Sequence, residues 1–187
     1  MKKISIYLAV GLMVVVGILG IGVGYYLTPE YHFSMYEKND MNLGQADRTF
    51  DLRYLNAMIS HHRGAMLLAE QLGKNTEREE MKALSIEILK NEPGAIAELY
   101  EWKKAWYNDT KTVRDPIVSN LGTLDEKFDL RFLNAIIAHH EAGIMMTKET
   151  KTKSSRTEVL NNADAVEMFL LGGIDTLKNL RKSWYNI

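Results

Sequence analysis

The sequence predicts an all-α protein, a four-helix bundle built from two tandem helical hairpins and preceded by an N-terminal transmembrane helix. Three observations carry this expectation. They are a long uncharged run near the N-terminus, an internal repeat at a fixed offset, and a helical period of apolar residues through each copy.

The first element is "ISIYLAVGLMVVVGILGIGVGYYL", Ile4 to Leu27, which contains no charged residue. A helix needs only about 20 apolar residues to cross a bilayer. Lys2 and Lys3 precede the run, so the positive-inside rule places the N-terminus in the cytoplasm and the remaining chain outside, periplasmic or extracellular. An uncleaved anchor over residues 1–27 is favoured over a signal peptide. The run exceeds the roughly 7–15 residues of a signal h-region, and no A-x-A site follows it. Residues 28–46 then read as a polar tether carrying Pro29, His32, Met35 and Met41.

Beyond the tether, residues 47–187 hold two copies of one unit, expected at 47–109 and 124–187. "FDLRYLNAMISHH" (Phe50–His62) matches "FDLRFLNAIIAHH" (Phe128–His140) at ten of thirteen positions. The same offset carries Trp106-Tyr107-Asn108 onto Trp184-Tyr185-Asn186. Each copy reads as a helical hairpin. In copy one the expected helices run from near Arg48 to about Leu72, ended by "GKN", and from about Thr76 to Tyr107. Pro93-Gly94 should kink or break the second of these. Copy two should repeat the pattern at roughly Leu124–Lys148 and Ser155–Tyr185. One amphipathic hairpin buries little by itself, whereas two make a four-helix bundle.

Composition narrows the function. With 23 basic and 24 acidic residues the chain carries no electrostatic footprint for nucleic acid. It has no cysteine, which excludes disulfides, thiolate catalysis and zinc fingers. Metal chemistry must then use His, Met, Asp or Glu. Four of the five histidines form two adjacent pairs, His61-His62 and His139-His140, placed alike in the two copies.

On a helical wheel Asp51, Leu55, Met58, His62, Ala65, Met66 and Ala69 share one stripe, with His61 at its edge. Asp129, Leu133, Ile136, His140, Gly143 and Ile144 repeat it, flanked by His139 and Met146. Both pairs should face the bundle interior, with His62 and His140 innermost. Adjacent imidazoles diverge by about 100° and chelate one ion poorly, but one histidine from each copy can converge. Unpaired buried imidazoles would cost roughly 1–3 kcal/mol each, so a cluster needs partners. Met58 and Met66 bracket His62 by one turn on either side. Mixed imidazole and thioether donors suit copper, above all Cu(I), while imidazole alone also suits zinc or nickel. Asp51 and Asp129 read as ligands, as acceptors for imidazole N–H, or as helix N-caps. Taken alone, Met58 and Met66 read as packing; the doubled His-His reads as a metal site. His32, Met35 and Met41 read as linker residues rather than a second copper site.

Nothing points to catalysis. The chain has no Glu-x-x-His, no His-Glu-x-x-His, no Gly-x-Ser-x-Gly and no phosphate loop.

"DLRYLNAMISHHRGAMLLA" and "DLRFLNAIIAHHEAGIMMT" resemble the signature of the domain of unknown function 305 family, D-x-x-F-[LI]-x-x-M-[IV]-x-H-H-x-x-A-[IV]-x-M-A. The resemblance runs from about Gln45 to the C-terminus. It implies an exported or membrane-anchored protein with a ferritin-like four-helix fold, in a family that includes periplasmic copper-binding proteins. Asp51, Met58, His61 and His62 fall on the motif in copy one, and Asp129, His139, His140 and Met146 in copy two. Leu68 and Ile136 stand where the family has methionine, and Met66 lies outside the pattern. The family's second-helix pattern Q-x-x-E-I-x-x-M-x-x-W reads Glu92, Ala95, Ile96, Leu99 and Trp102 in copy one, and Leu170, Gly173, Ile174, Leu177 and Leu180 in copy two. These departures imply one shared site or two weaker ones.

The expected function is sequestration, resistance or handover of copper by a membrane-anchored protein that is not an enzyme. Its expected partners are the metal ion, the membrane, and a metal-transfer partner or a second copy of the chain. The alternatives are a structural or interaction module whose histidines are hydrogen-bonded core residues, and a small metal-dependent oxidoreductase.

Overall fold

The computed structural model describes residues 42–187. They form four helices: α1 (Phe50–Asn75), α2 (Glu79–Tyr107), α3 (Phe128–Lys153) and α4 (Thr157–Tyr185). No strand occurs among the described residues. α1 packs on α2 and α3 on α4 as two hairpins, and α1 packs on α3 to join them. The expected membrane helix and the His32, Met35 and Met41 group lie outside the described residues. Within the described residues no helix is long and apolar enough to cross a membrane.

Every helix boundary in the second hairpin falls at the sequence offset of the repeat. So do the residues with unusual backbones. Gly44 and Gly122 take φ of +85° and +74° ahead of α1 and α3, where a side chain would be strained. Asn108 and Asn186 end α2 and α4 in the left-handed region, which asparagine tolerates better than most residues. The repeat also reaches back before each first helix. Arg53 binds the carbonyls of Leu43 and Gln45, and Arg131 binds those of Leu121 and Thr123. Leu43 and Leu121 are both buried, so the end of the expected tether is seated on the bundle.

Two expected helix signals act otherwise. Gly73 does not stop α1, which continues to Asn75. A Cβ there would lie 2.5 Å from Ser85 Oγ, so the glycine lets α2 approach closely. Pro93 does not break α2, which runs through it from Glu79 to Tyr107. A proline inside a helix leaves one carbonyl without its bond, and flanking packing can hold the helix together across it.

The core has two parts. One gathers Phe50, Tyr54, Leu55, Met58 and Ile59 of α1 with the C-terminal half of α3, the first half of α4 and Leu99 of α2. The other gathers Ala65, Leu68 and Leu72 of α1 with Phe128, Phe132 and Ile136 of α3, Met81 and Leu177. Each large apolar side chain buried here contributes about 1.5–3 kcal/mol. Along α1 the first core ends at Ile59 and the second begins at Ala65. His61 and His62 fill that gap, and His139 and His140 fill the matching gap in α3 between Ile137 and Ala142.

The two repeats are clamped by a reciprocal exchange. Arg78, just before α2, pairs with Asp129 of the other repeat at 3.2 Å and lies 4.5 Å over the Trp184 ring. Arg156, its counterpart before α4, pairs with Asp51 at 3.3 Å and lies 4.1 Å over Trp106.

Candidate metal centre

The two imidazoles of each pair point to different neighbours because they diverge around the helix. The first of each pair faces the sister repeat. His61 and His139 stack with ring centroids 3.8 Å apart and planes 18° from parallel. The second faces its own hairpin partner: His62 meets Glu92 of α2, and His140 lies against Gly173 and Phe169 of α4. Convergence of one histidine from each repeat is thus found, but in the pair His61/His139. The wheel had His62 and His140 innermost; instead His61 and His139 are buried while His62 and His140 are half-buried. The reason is that α1 packs on two helices. Its buried face is wider than a single stripe and extends past His61 toward α3.

Hydrogen bonds fix which ring nitrogens carry protons. The Nε2 of His61 lies 3.1 Å from the carbonyl oxygen of His139, which can only accept, so Nε2 carries the hydrogen and Nδ1 the lone pair. The Nδ1 of His62 donates to the Glu92 carboxylate, leaving the lone pair on Nε2. His61 Nδ1, His62 Nε2 and His140 Nδ1 are buried without hydrogen-bond partners. Buried polar nitrogens left open in this way are the donor atoms a metal ion would use.

Burial also keeps the His61, His139 and His140 rings neutral. It pushes His61 down to about 4, with adjacent His62 adding a smaller like-charge effect. It pushes His140 down to about 3, with His61 as the second cause. His139 falls well below its ordinary range for the same first reason, with His61, His140 and His62 adding repulsion. Neutral imidazole is the form that binds metal.

The other expected ligands are placed apart from the rings. Asp51 accepts from Ser154 Oγ at 2.6 Å and pairs with Arg156, and Asp129 pairs with Arg78. Both aspartates are therefore engaged in the clamp between repeats rather than with imidazole, and neither caps its own helix. Met58 and Met146 are packed in the same apolar core, and Met66 is half-buried. Among the described residues no group of three or more His, Asp or Glu side chains is gathered as a metal cluster.

Two contributors were not legible as such. Glu92 is separated from His62 by 30 residues; the sequence places it at the head of the family's second-helix pattern, but its partnership with His62 is recognisable only once α1 and α2 are paired. Gly143 is the other. A Cβ there would lie 2.6 Å from His61 Nε2 and 2.5 Å from Leu170 Cδ1, so its absence makes room for the His61 ring.

The model of the family described as "Domain of unknown function (DUF305)" matches residues 51–120, a span that includes α1, α2 and the first His-His pair. That span is similar to a DUF305 domain. Solved structures agree in fold over both repeats. CopM in its Cu(I)-bound form superposes with a TM-score of 0.64 at 26% identity, covering 72% of this chain and 97% of that one. CopM in an Ag-bound form gives the same values. A DUF305 fragment from Deinococcus radiodurans superposes with a TM-score of 0.61 at 20% identity, covering 73% and 97%, and bears on the fold alone. No curated protein gives a significant match to the sequence.

Proposed function

We propose that this protein binds copper as cargo through the imidazole cluster between its two repeats, and that it sequesters the ion or hands it on outside the cytoplasmic membrane. The observation that carries the reading is the set of imidazoles whose buried nitrogens, His61 Nδ1, His62 Nε2 and His140 Nδ1, have no hydrogen-bond partner. His61 and His62 supply the donors of the first repeat, and His139 and His140 flank them from the second. Cu(I) tolerates low coordination numbers and accepts imidazole and thioether alike, which suits a site with few open donors and no gathered carboxylates. Similarity to CopM, whose solved forms hold Cu(I), Cu(II) and Ag, supports copper over zinc. The uncharged run Ile4 to Leu27 after Lys2 and Lys3 supports an anchored protein with its bundle outside. The absence of a catalytic motif supports a carrier rather than an enzyme.

A structural reading is favoured by one observation: His61 already stacks on His139 and binds its carbonyl, as a hydrogen-bonded core histidine would. Anaerobic competition titration with Cu(I), and direct titration with Cu(II) and Zn(II), separates the two. The copper reading expects tight Cu(I) uptake that His62→Ala/His140→Ala abolishes. Absent uptake, with the variant merely less stable, makes the imidazoles structural.

A further inference from the structure

The cluster is built by a duplication, yet its two halves differ at one contact. In the first repeat Glu92 takes the Nδ1–H of His62. The corresponding residue in the second repeat is Leu170, which is buried in the apolar core, and His140 Nδ1 is left without a partner. The surroundings differ as well. Glu92 is followed by Pro93-Gly94-Ala95, while Leu170 is followed by Leu171-Gly172-Gly173. A Cβ at Gly173 would lie 2.9 Å from the His140 ring, whereas nothing lies within 4 Å of one at Gly172. His140 therefore sits against backbone with no polar side chain to orient it.

We infer that Glu92 is a positioning residue that makes the first repeat the tight half of the metal site, by fixing His62 with its Nε2 lone pair toward the metal. This rests on the copper reading above and deepens it. A carboxylate on the outer nitrogen of a ligating histidine sets its tautomer and ring orientation and raises its basicity. Leu170 can do none of these, so His140 is the loose half, a donor that contributes little to affinity. The site is asymmetric although its sequence motif is doubled.

The test uses the full-length chain and two readouts. The first needs no metal: two-bond 15N–1H correlation of the imidazoles in the apo protein at neutral pH. The expected pattern is Nδ1–H for His62 and no such enforced tautomer for His140. Glu92→Ala should convert His62 to the Nε2–H form or a mixture, while Glu92→Gln, which keeps an accepting oxygen, should preserve Nδ1–H. The second readout is anaerobic Cu(I) competition. Glu92→Ala should weaken binding by roughly 10- to 100-fold, and Glu92→Gln should remain close to wild type. A Glu92→Gln loss as large as that of Glu92→Ala overturns positioning in favour of simple charge attraction. An unchanged His62 tautomer in Glu92→Ala, with Cu(I) affinity intact, overturns the inference and leaves the copper reading standing. If the wild type takes up no Cu(I) but its tautomer pattern is as expected and lost in Glu92→Ala, the copper reading falls while the positioning of His62 stands.

Discussion

The His61 ring lies face to face with the His139 ring, 3.8 Å between centroids, at the contact where α1 of one repeat meets α3 of the other. Stacking at that distance requires that the two rings not both be charged. The fold secures this by burying them. It thereby ties the junction of the repeats to proton activity.

Apo stability should accordingly fall in mild acid. The His61 pKa is lowered from 6.5 to about 4 in the fold, so between those values the unfolded chain binds more protons than the folded one. Stability from the neutral ring is complete above pH 6.5 and is lost as pH falls to about 4; the loss from His140 extends to about 3. Thermal melts from pH 7 to 4.5 should show Tm dropping by roughly 2–4 °C per kcal/mol lost. His61→Phe, which keeps an aromatic ring but cannot take a proton, should show a shallower slope. Equal slopes would mean that His61 is not held neutral.

Gly143→Ala should cost about 1–3 kcal/mol by overpacking. Its Cβ would meet Leu170 and the His61 ring at once, 2.5 Å and 2.6 Å away. The first repeat carries Ala65 at the same place, so repeat symmetry alone would forecast a harmless change. Urea unfolding of the variant decides between these forecasts, and a stability equal to wild type would contradict the geometry.

Arg78→Ala should destabilise the chain by about 1–3 kcal/mol, because it leaves the nearly buried Asp129 carboxylate without its cation. Adding Asp129→Asn should recover part of the loss by removing the stranded charge. A double-mutant cycle in urea measures the coupling. Additive losses would mean that the clamp between repeats contributes little.

The architecture was legible because its signals are local and stated twice. Apolar periodicity defined the helices, and the doubled "FDLR…HH" segment defined the pairing of hairpins. Signals whose meaning depends on a neighbour were not legible. Gly73 reads as a helix stop in isolation but serves a close approach to Ser85. Pro93 reads as a break, yet α2 continues through it. The stripe shared by Asp51 and His62 puts His62 innermost, but α1 packs on both α2 and α3 and Asp51 turns toward Arg156, so His61 is the more buried ring. Glu92 stands on the family's second-helix pattern, but its contact with His62 depends on α1 and α2 lying side by side.

Copper K-edge X-ray absorption of the full-length chain loaded with substoichiometric Cu(I) tests the central claim most directly. The account predicts nitrogen ligation with the multiple scattering of imidazole, diminished in His61→Ala and in His62→Ala. Met145 and Met168 are exposed to 46% and 64% and offer thioether donors away from the core. A shell of sulfur alone, unchanged in both histidine variants, would assign the metal to such surface methionines and contradict the account.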